Sequence, residues 1–137
     1  MDKTQEVKEW FDIADDDLRA AVHLLTLHHP RPDNIICNLC QQAAEKLLKG
    51  FLVYKEIELK KTHDLVALLE LAKANNADIS VLLDKCTFLF QFAVIPRYPN
   101  QHEYTEEEVQ AAIQYAKEIQ GFIKGLVEGK MNYSLTF

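Results

Sequence analysis

Arg97-Tyr98-Pro99-Asn100-Gln101-His102-Glu103-Tyr104 is the sharpest constellation of reactive side-chain types in the chain. It reads as arginine, four residues, histidine, one residue, tyrosine. A guanidinium offers paired hydrogen bonds to phosphate oxygens. A neutral imidazole, with a reference pKa of about 6.5, can exchange a proton near neutrality. Tyr98 or Tyr104 can stack on a base. These types together suit a phosphate-bearing ligand, bound with or without turnover. The competing reading makes Arg97 a structural arginine, paired with a carboxylate or with helix C-terminal carbonyls. It makes His102 an exposed loop histidine. Pro96 and Pro99 bracket Arg97, so a regular helix across this stretch is not expected.

Other candidates carry less. Lys46 and Lys49 lie on the polar strip of an otherwise apolar helix; they can line the same cleft, although such residues are more often solvated. His63 is expected in the first turn of a helix, packing or hydrogen-bonding locally. His28 and His29 are adjacent, and adjacent helical positions diverge by about 100°, which argues against a shared metal. Cys37 and Cys40 form a C-x-x-C, but a structural zinc site normally needs two further ligands, and both fall inside a helix. They read as small core residues, and no metal site is assigned. No P-loop, G-x-G-x-x-G or H-E-x-x-H is present, so no cofactor is expected.

The elements that must position these residues are helices. Apolar Val7, Phe11, Ala14, Leu18, Ala21 and Leu25 keep a heptad-like seam in a first helix from about Gln5 to Leu27. His28-His29-Pro30-Arg31-Pro32 ends it, and Asp33 is the expected cap of a second helix running to Tyr54. That second helix has two apolar edges, through Ile36, Cys40, Ala43 and Leu47 and through Leu39, Ala44, Leu48 and Phe51. Its polar strip is narrow: Gln41, Gln42, Glu45, Lys46 and Lys49. A helix so apolar sits centrally. Thr62 is expected to cap a short third helix, and Asp78 a fourth from Ile79 to Ala93. Thr105 with Glu108 is a capping-box signature for a last helix that Gly129 should end. In the fourth helix, Phe88 and Phe92 share one face and Phe90 takes another, so some of them are candidates for a dimer or partner interface.

The fold class expected is all-α: an antiparallel up-and-down four-helix bundle with one additional short helix. Residues 1–129 would form one domain and residues 130–137 a C-terminal tail, ordered on a neighbour if at all. The length of 137 residues fits one core. A formal net charge of −6 argues against a broad, nonspecific nucleic-acid binder but not against a local basic pocket. No apolar run approaches the roughly 20 residues of a membrane span. The first residues carry no signal-peptide core, and three cysteines fit a reducing compartment, so a cytoplasmic location is expected.

Three segments, taken together, resemble the HEPN family of small helical domains. They are Cys40-Gln41-Gln42-Ala43-Ala44-Glu45-Lys46, then Thr62-His63-Asp64-Leu65, then Arg97-Tyr98-Pro99. The resemblance covers roughly Glu6 to Leu126. It implies a homodimer, a nucleotide- or RNA-binding role and, in some members, pairing with a nucleotidyltransferase in a toxin–antitoxin system. RNA-cleaving members carry Arg, four to six residues, His, often with a tyrosine two places on. On that likeness Arg97 and His102 would be the catalytic pair of a metal-independent endoribonuclease, with Tyr104 accessory or regulatory. The residue after the arginine is typically polar in those members and is Tyr98 here. Arg-Tyr-Pro is similar instead to a branch whose arginine sits at a helix-to-loop junction. A third reading of the chain is a non-catalytic protein-interaction module.

Overall fold

The computed structural model describes residues 2–95 and 103–128, and every regular element among them is a helix. Three are of equal length: α1 (Lys3–Leu24), α2 (Asp33–Tyr54) and α5 (Glu106–Val127). Between α2 and α5 the chain makes α3 (Leu65–Lys73), a 3-10 run (Ala77–Leu82) and α4 (Leu83–Phe90). The central place expected for the second helix is observed: α1, α3, α4 and α5 all pack against α2.

The caps show why the helices start where they do. Asp2 accepts from the Gln5 amide at 2.8 Å and opens α1 two residues earlier than expected. The expected capping box of α5 is present in full: Thr105 N donates to Glu108 at 3.0 Å, and Glu108 N donates to the Thr105 hydroxyl at 3.1 Å. Three expected caps are corrected, the last being Asp78, whose place Asn76 takes. Asp33 does not cap α2; Pro32 holds that position, and the Asp33 carboxylate is taken by Arg31, which also reaches Glu106. Asp64, not Thr62, caps α3, accepting from the amides of Val66 and Ala67. The Thr62 hydroxyl is used one step earlier, by the Asp64 amide. His63 therefore precedes α3 instead of lying in its first turn. The expected fourth helix is split, because Asn76 accepts from the Asp78 amide and starts a 3-10 run before α4.

One core runs through the described residues. On α1 it takes Val7, Phe11, Ala14, Leu18 and Ala21; on α5 it takes Val109, Ala112, Ala116, Ile119 and Ile123. Helices α1 and α2 approach closely at Gly50. A Cβ at Gly50 would lie 2.5 Å from Phe11 Cε1, so the helix crossing there requires glycine. Helices α1 and α5 are tied by a buried ion pair, Lys124 Nζ to Asp15 at 2.6 Å, with Gln120 donating to the other Asp15 oxygen at 2.8 Å. No helix among the described residues is long and apolar enough to cross a membrane.

Candidate functional site

Most of the polar strip of α2 is buried. Asn38, Gln41, Glu45 and Lys49 follow each other at steps of three and four, so they form one line along the helix. All four are buried, Gln41 to 1% exposure and Glu45 to 2%. Asn38, Gln41 and Glu45 meet partners on chain without helical structure, and Lys49 meets Glu45 within α2. Asn38 Nδ2 donates to the Phe92 carbonyl at 2.9 Å. Gln41 Nε2 donates to the His63 carbonyl at 3.3 Å. Both Glu45 carboxylate oxygens lie at hydrogen-bond distance from His63 Nδ1, at 3.0 and 3.1 Å. Lys49 Nζ donates to Glu45 at 3.0 Å.

Glu45 is thus a buried acid ringed by bases. Burial pushes its carboxyl up, but the hydrogen bonds from His63 and Lys49 and the nearby charge of Lys46 outweigh that. The net effect holds it below its ordinary value. Lys46 Nζ is 3.7 Å from the Glu45 carboxylate and donates to Gln42 at 3.0 Å. Lys49 lies 5.8 Å from the centre of the Trp10 ring on α1. Asp17, also on α1, is pushed up by burial against the pull of Lys46, with Asp16 and Glu45 adding to the rise. The cluster opens to solvent chiefly through the His63 side chain, 81% exposed, and through the partly exposed Lys46.

About 12 Å along α2 from Lys46, from eight residues at 1.5 Å each, stands an aromatic group near Asn38. Tyr104 stacks on Phe92 with centroids 5.9 Å apart. Phe92 meets Phe88 edge-on at 5.5 Å, and Phe88 meets Tyr115 edge-on at 5.3 Å. Burial, with the carboxylates of Glu108 and Asp33 adding, raises the Tyr104 phenol above its ordinary value. The two flanks of the Arg97–His102 stretch are thereby joined. Phe92 is held by Asn38, Tyr104 by its stack on Phe92, and Thr105 by the capping box. Arg97, Tyr98 and His102 themselves lie outside the described residues, as do Pro96 and Pro99.

A family model, the HEPN domain, matches residues 7–126. The chain belongs to the HEPN domain family. Two crystal structures of similar chains agree with this. One is ST0689, an archaeal HEPN homologue, 29% identical, covering 89% of this chain and 98% of its own, with a TM-score of 0.69. The other is TT1696 from Thermus thermophilus, 26% identical, covering 87% of this chain and 96% of its own, with a TM-score of 0.73. No curated protein gives a match.

Within this HEPN domain the sequence candidates part company. Lys46 and Lys49 are brought together with Glu45 and His63; Tyr104 is on the aromatic group. Phe92 is packed inside the chain and Phe88 is partly buried against it, while Phe90, 37% exposed, is the aromatic that α4 presents outward. Cys37, Cys40 and Cys86 are buried, and burial pushes each thiol up to about 12. Among the described residues no three His, Cys, Asp or Glu side chains converge as a metal site would need. Sequence reasoning missed the Glu45–His63 contact, Asn38 as a clamp on α4, and Asp17 and Trp10 as neighbours of the lysines. The signal available was the narrowness of the polar strip. In a helix so nearly all apolar, a strip this narrow leaves little surface to water, and here most of it faces other protein.

Proposed function

We propose that this HEPN domain binds a nucleotide or a short single-stranded stretch of RNA beside the buried polar line of α2, at the partly exposed Lys46. The observation that carries the reading is the buried Glu45 carboxylate among Lys46, Lys49 and His63. A buried charge cluster is seldom the most stable filling of a helix interface, so its presence argues for use. Because Glu45 is already satisfied by Lys49 and His63, it does not repel a phosphate as a free carboxylate would. Lys46, and Arg97 from the adjoining stretch, would then meet phosphate oxygens. Tyr104 or Tyr98 would stack on a base, and the span of about 12 Å between the two ends suits a nucleotide. Lys49 acts in this reading by neutralising Glu45.

The test is titration of ATP and of a labelled oligoribonucleotide at low and at moderate salt, using wild type, Lys46→Ala and Arg97→Ala. Binding that weakens in both variants, with a shallower salt dependence, is expected. Equal affinity in all three would overturn the proposal.

The second reading is metal-independent RNA cleavage. Its support is the Arg97-x4-His102-x-Tyr104 pattern set between two anchored flanks. His102 would take the proton of a 2′-hydroxyl while Arg97 stabilises charge growing on the phosphorus oxygens. One such pair per chain suits a composite site in a homodimer, and a nucleotidyltransferase encoded beside it would fit a toxin–antitoxin pair. Labelled total RNA incubated in EDTA with wild type and with an Arg97→Ala/His102→Ala variant decides the point. Cleavage by wild type alone supports this reading; no cleavage by folded protein removes it. Were neither nucleotide nor RNA to raise the melting temperature, the chain would be a protein-interaction module. Phe90, Leu83 and Val94, exposed on and just beyond α4, would then be the surface to mutate.

A further inference from the structure

The His63 ring is fixed along one edge and free along the other. Its Nδ1 stands 3.0 and 3.1 Å from the two Glu45 oxygens, while the side chain as a whole is 81% exposed. Glu45 is buried and held below its ordinary value, so at neutral pH it is a carboxylate and can only accept. The proton of the contact therefore sits on Nδ1. In the neutral ring that leaves Nε2 bare, as an acceptor with an open lone pair. Among the described residues no group bonds to Nε2. A histidine turning freely at a surface offers either tautomer; this one offers a single kind of atom to solvent.

Such an acceptor discriminates among the parts of a nucleotide. A phosphodiester has no proton to give it. A ribose 2′-hydroxyl has one, and that hydroxyl is what tells RNA from DNA at a given site. The position along α2 fits. Glu45 lies between Lys46, at the phosphate end, and Asn38, where the aromatic group begins. A nucleotide laid between those ends carries its sugar between its phosphate and its base.

We infer that His63, positioned by Glu45, accepts a hydrogen bond from the ribose 2′-hydroxyl and makes the site select ribonucleotides and RNA over their deoxy forms. This rests on the reading of the site beside Lys46 as one for a nucleotide or RNA. His63 touches the ligand; Glu45 acts only by fixing which nitrogen carries the proton.

The selection has a pH signature of its own, because a proton on Nε2 turns the acceptor into a donor. The charged groups around the ring are Glu45, Lys46 and Lys49 of α2 and Asp64, next in the chain, with Asp17 of α1 facing Lys46 and Glu45. The preference should be strongest near about pH 8 and shrink towards about pH 5.5, on either side of the reference imidazole value of about 6.5.

The test is titration of ATP against dATP, and of one oligomer made as RNA and as DNA, into wild type, His63→Phe and Glu45→Gln. At about pH 8 wild type should bind the ribose form about fivefold more tightly, the ratio for one net hydrogen bond. His63→Phe should weaken the ribose form by about that factor and leave the deoxy form where it was. In Glu45→Gln the new amide can donate to Nδ1 and move the ring proton to Nε2, so the preference should fall while binding persists. Circular dichroism checks that each variant is folded; His63→Phe changes an exposed side chain, and with the pH series it decides the point even where Glu45→Gln is not folded. Equal binding of ribose and deoxy forms by wild type would overturn the inference and leave the nucleotide reading standing. So would a preference that survives His63→Phe. Binding of none of the four ligands would overturn both.

Discussion

Replacing Glu45 by glutamine removes one charge and almost no volume. Lys49, 11% exposed at its side chain, would then keep its ammonium beside a neutral amide. Breaking a buried ion pair from one side costs about 3–5 kcal/mol. We place this case near the lower end, about 3 kcal/mol. Lys49 has the Trp10 ring at 5.8 Å, and a glutamine oxygen still accepts one hydrogen bond. For a domain of this size that loss lowers the melting temperature by about 10–15 °C. Urea unfolding at neutral pH, followed by circular dichroism, measures it. Adding Lys49→Met in the same chain removes the stranded cation. Replacing both partners by uncharged groups is often neutral or better, so the double variant should regain about 2 kcal/mol over Glu45→Gln. A single-variant loss below about 1 kcal/mol, or a double variant no better than the sum of the two singles, would refute the claim that the pair acts as a buried unit.

Four further outcomes follow from the same structure. The Glu45 carboxyl is held low in the folded chain, so its contribution is complete above the unfolded value of about 4.3 and is lost as pH falls below it. Wild type should lose stability more steeply than Glu45→Gln in urea titrations taken from pH 6 towards about 3, with Asp17, held high, working in the opposite direction. Asp15→Asn strands Lys124, which is 1% exposed, and should cost about 3 kcal/mol or more by the same assay, with Asp15→Leu/Lys124→Met recovering most of it. Gly50→Ala drives a methyl group into the Phe11 ring and should cost about 1–3 kcal/mol despite the better helix former, whereas Gly50→Ala with Phe11→Leu should unfold closer to wild type. Cys37, Cys40 and Cys86, buried and pushed up to about 12, should give no reaction with a thiol reagent at neutral pH until denaturant is added.

The three long helices were legible because each repeats its apolar residues at helical steps for six turns. The split fourth helix was not. Its apolar spacing suits a 3-10 run followed by an α-helix as well as one continuous helix, and only Asn76 catching the Asp78 amide decides between them. The start of α3 shows a similar degeneracy. Thr62 and Asp64 are both good caps two residues apart, and the hydroxyl of the first is spent on the amide of the second. At the site, residue types were readable and contacts were not. The spacing Arg97-x4-His102-x-Tyr104 can be picked out by residue type, yet no period in the chain connects Glu45 to His63, which stand 18 residues apart and meet only because residues 55–64 return along α2.

That return also explains how an exposed histidine can be tied to a buried acid. The chain between α2 and α3 has no regular structure over residues 57–64, and its Ile57 and Leu59 are only partly buried against the core. It covers α2 by hydrogen bonds: the His63 carbonyl takes Gln41, and the His63 ring takes Glu45. Asp64 then turns the chain into α3 by capping it. Asn38 fixes the end of α4 by the same device, donating to two carbonyls, at 2.9 and 3.4 Å. One polar line on one helix therefore holds both segments that border the proposed site. A ligand phosphate arriving beside Lys46 would meet a charge cluster that is already part of the framework, and little would have to reorganise to receive it.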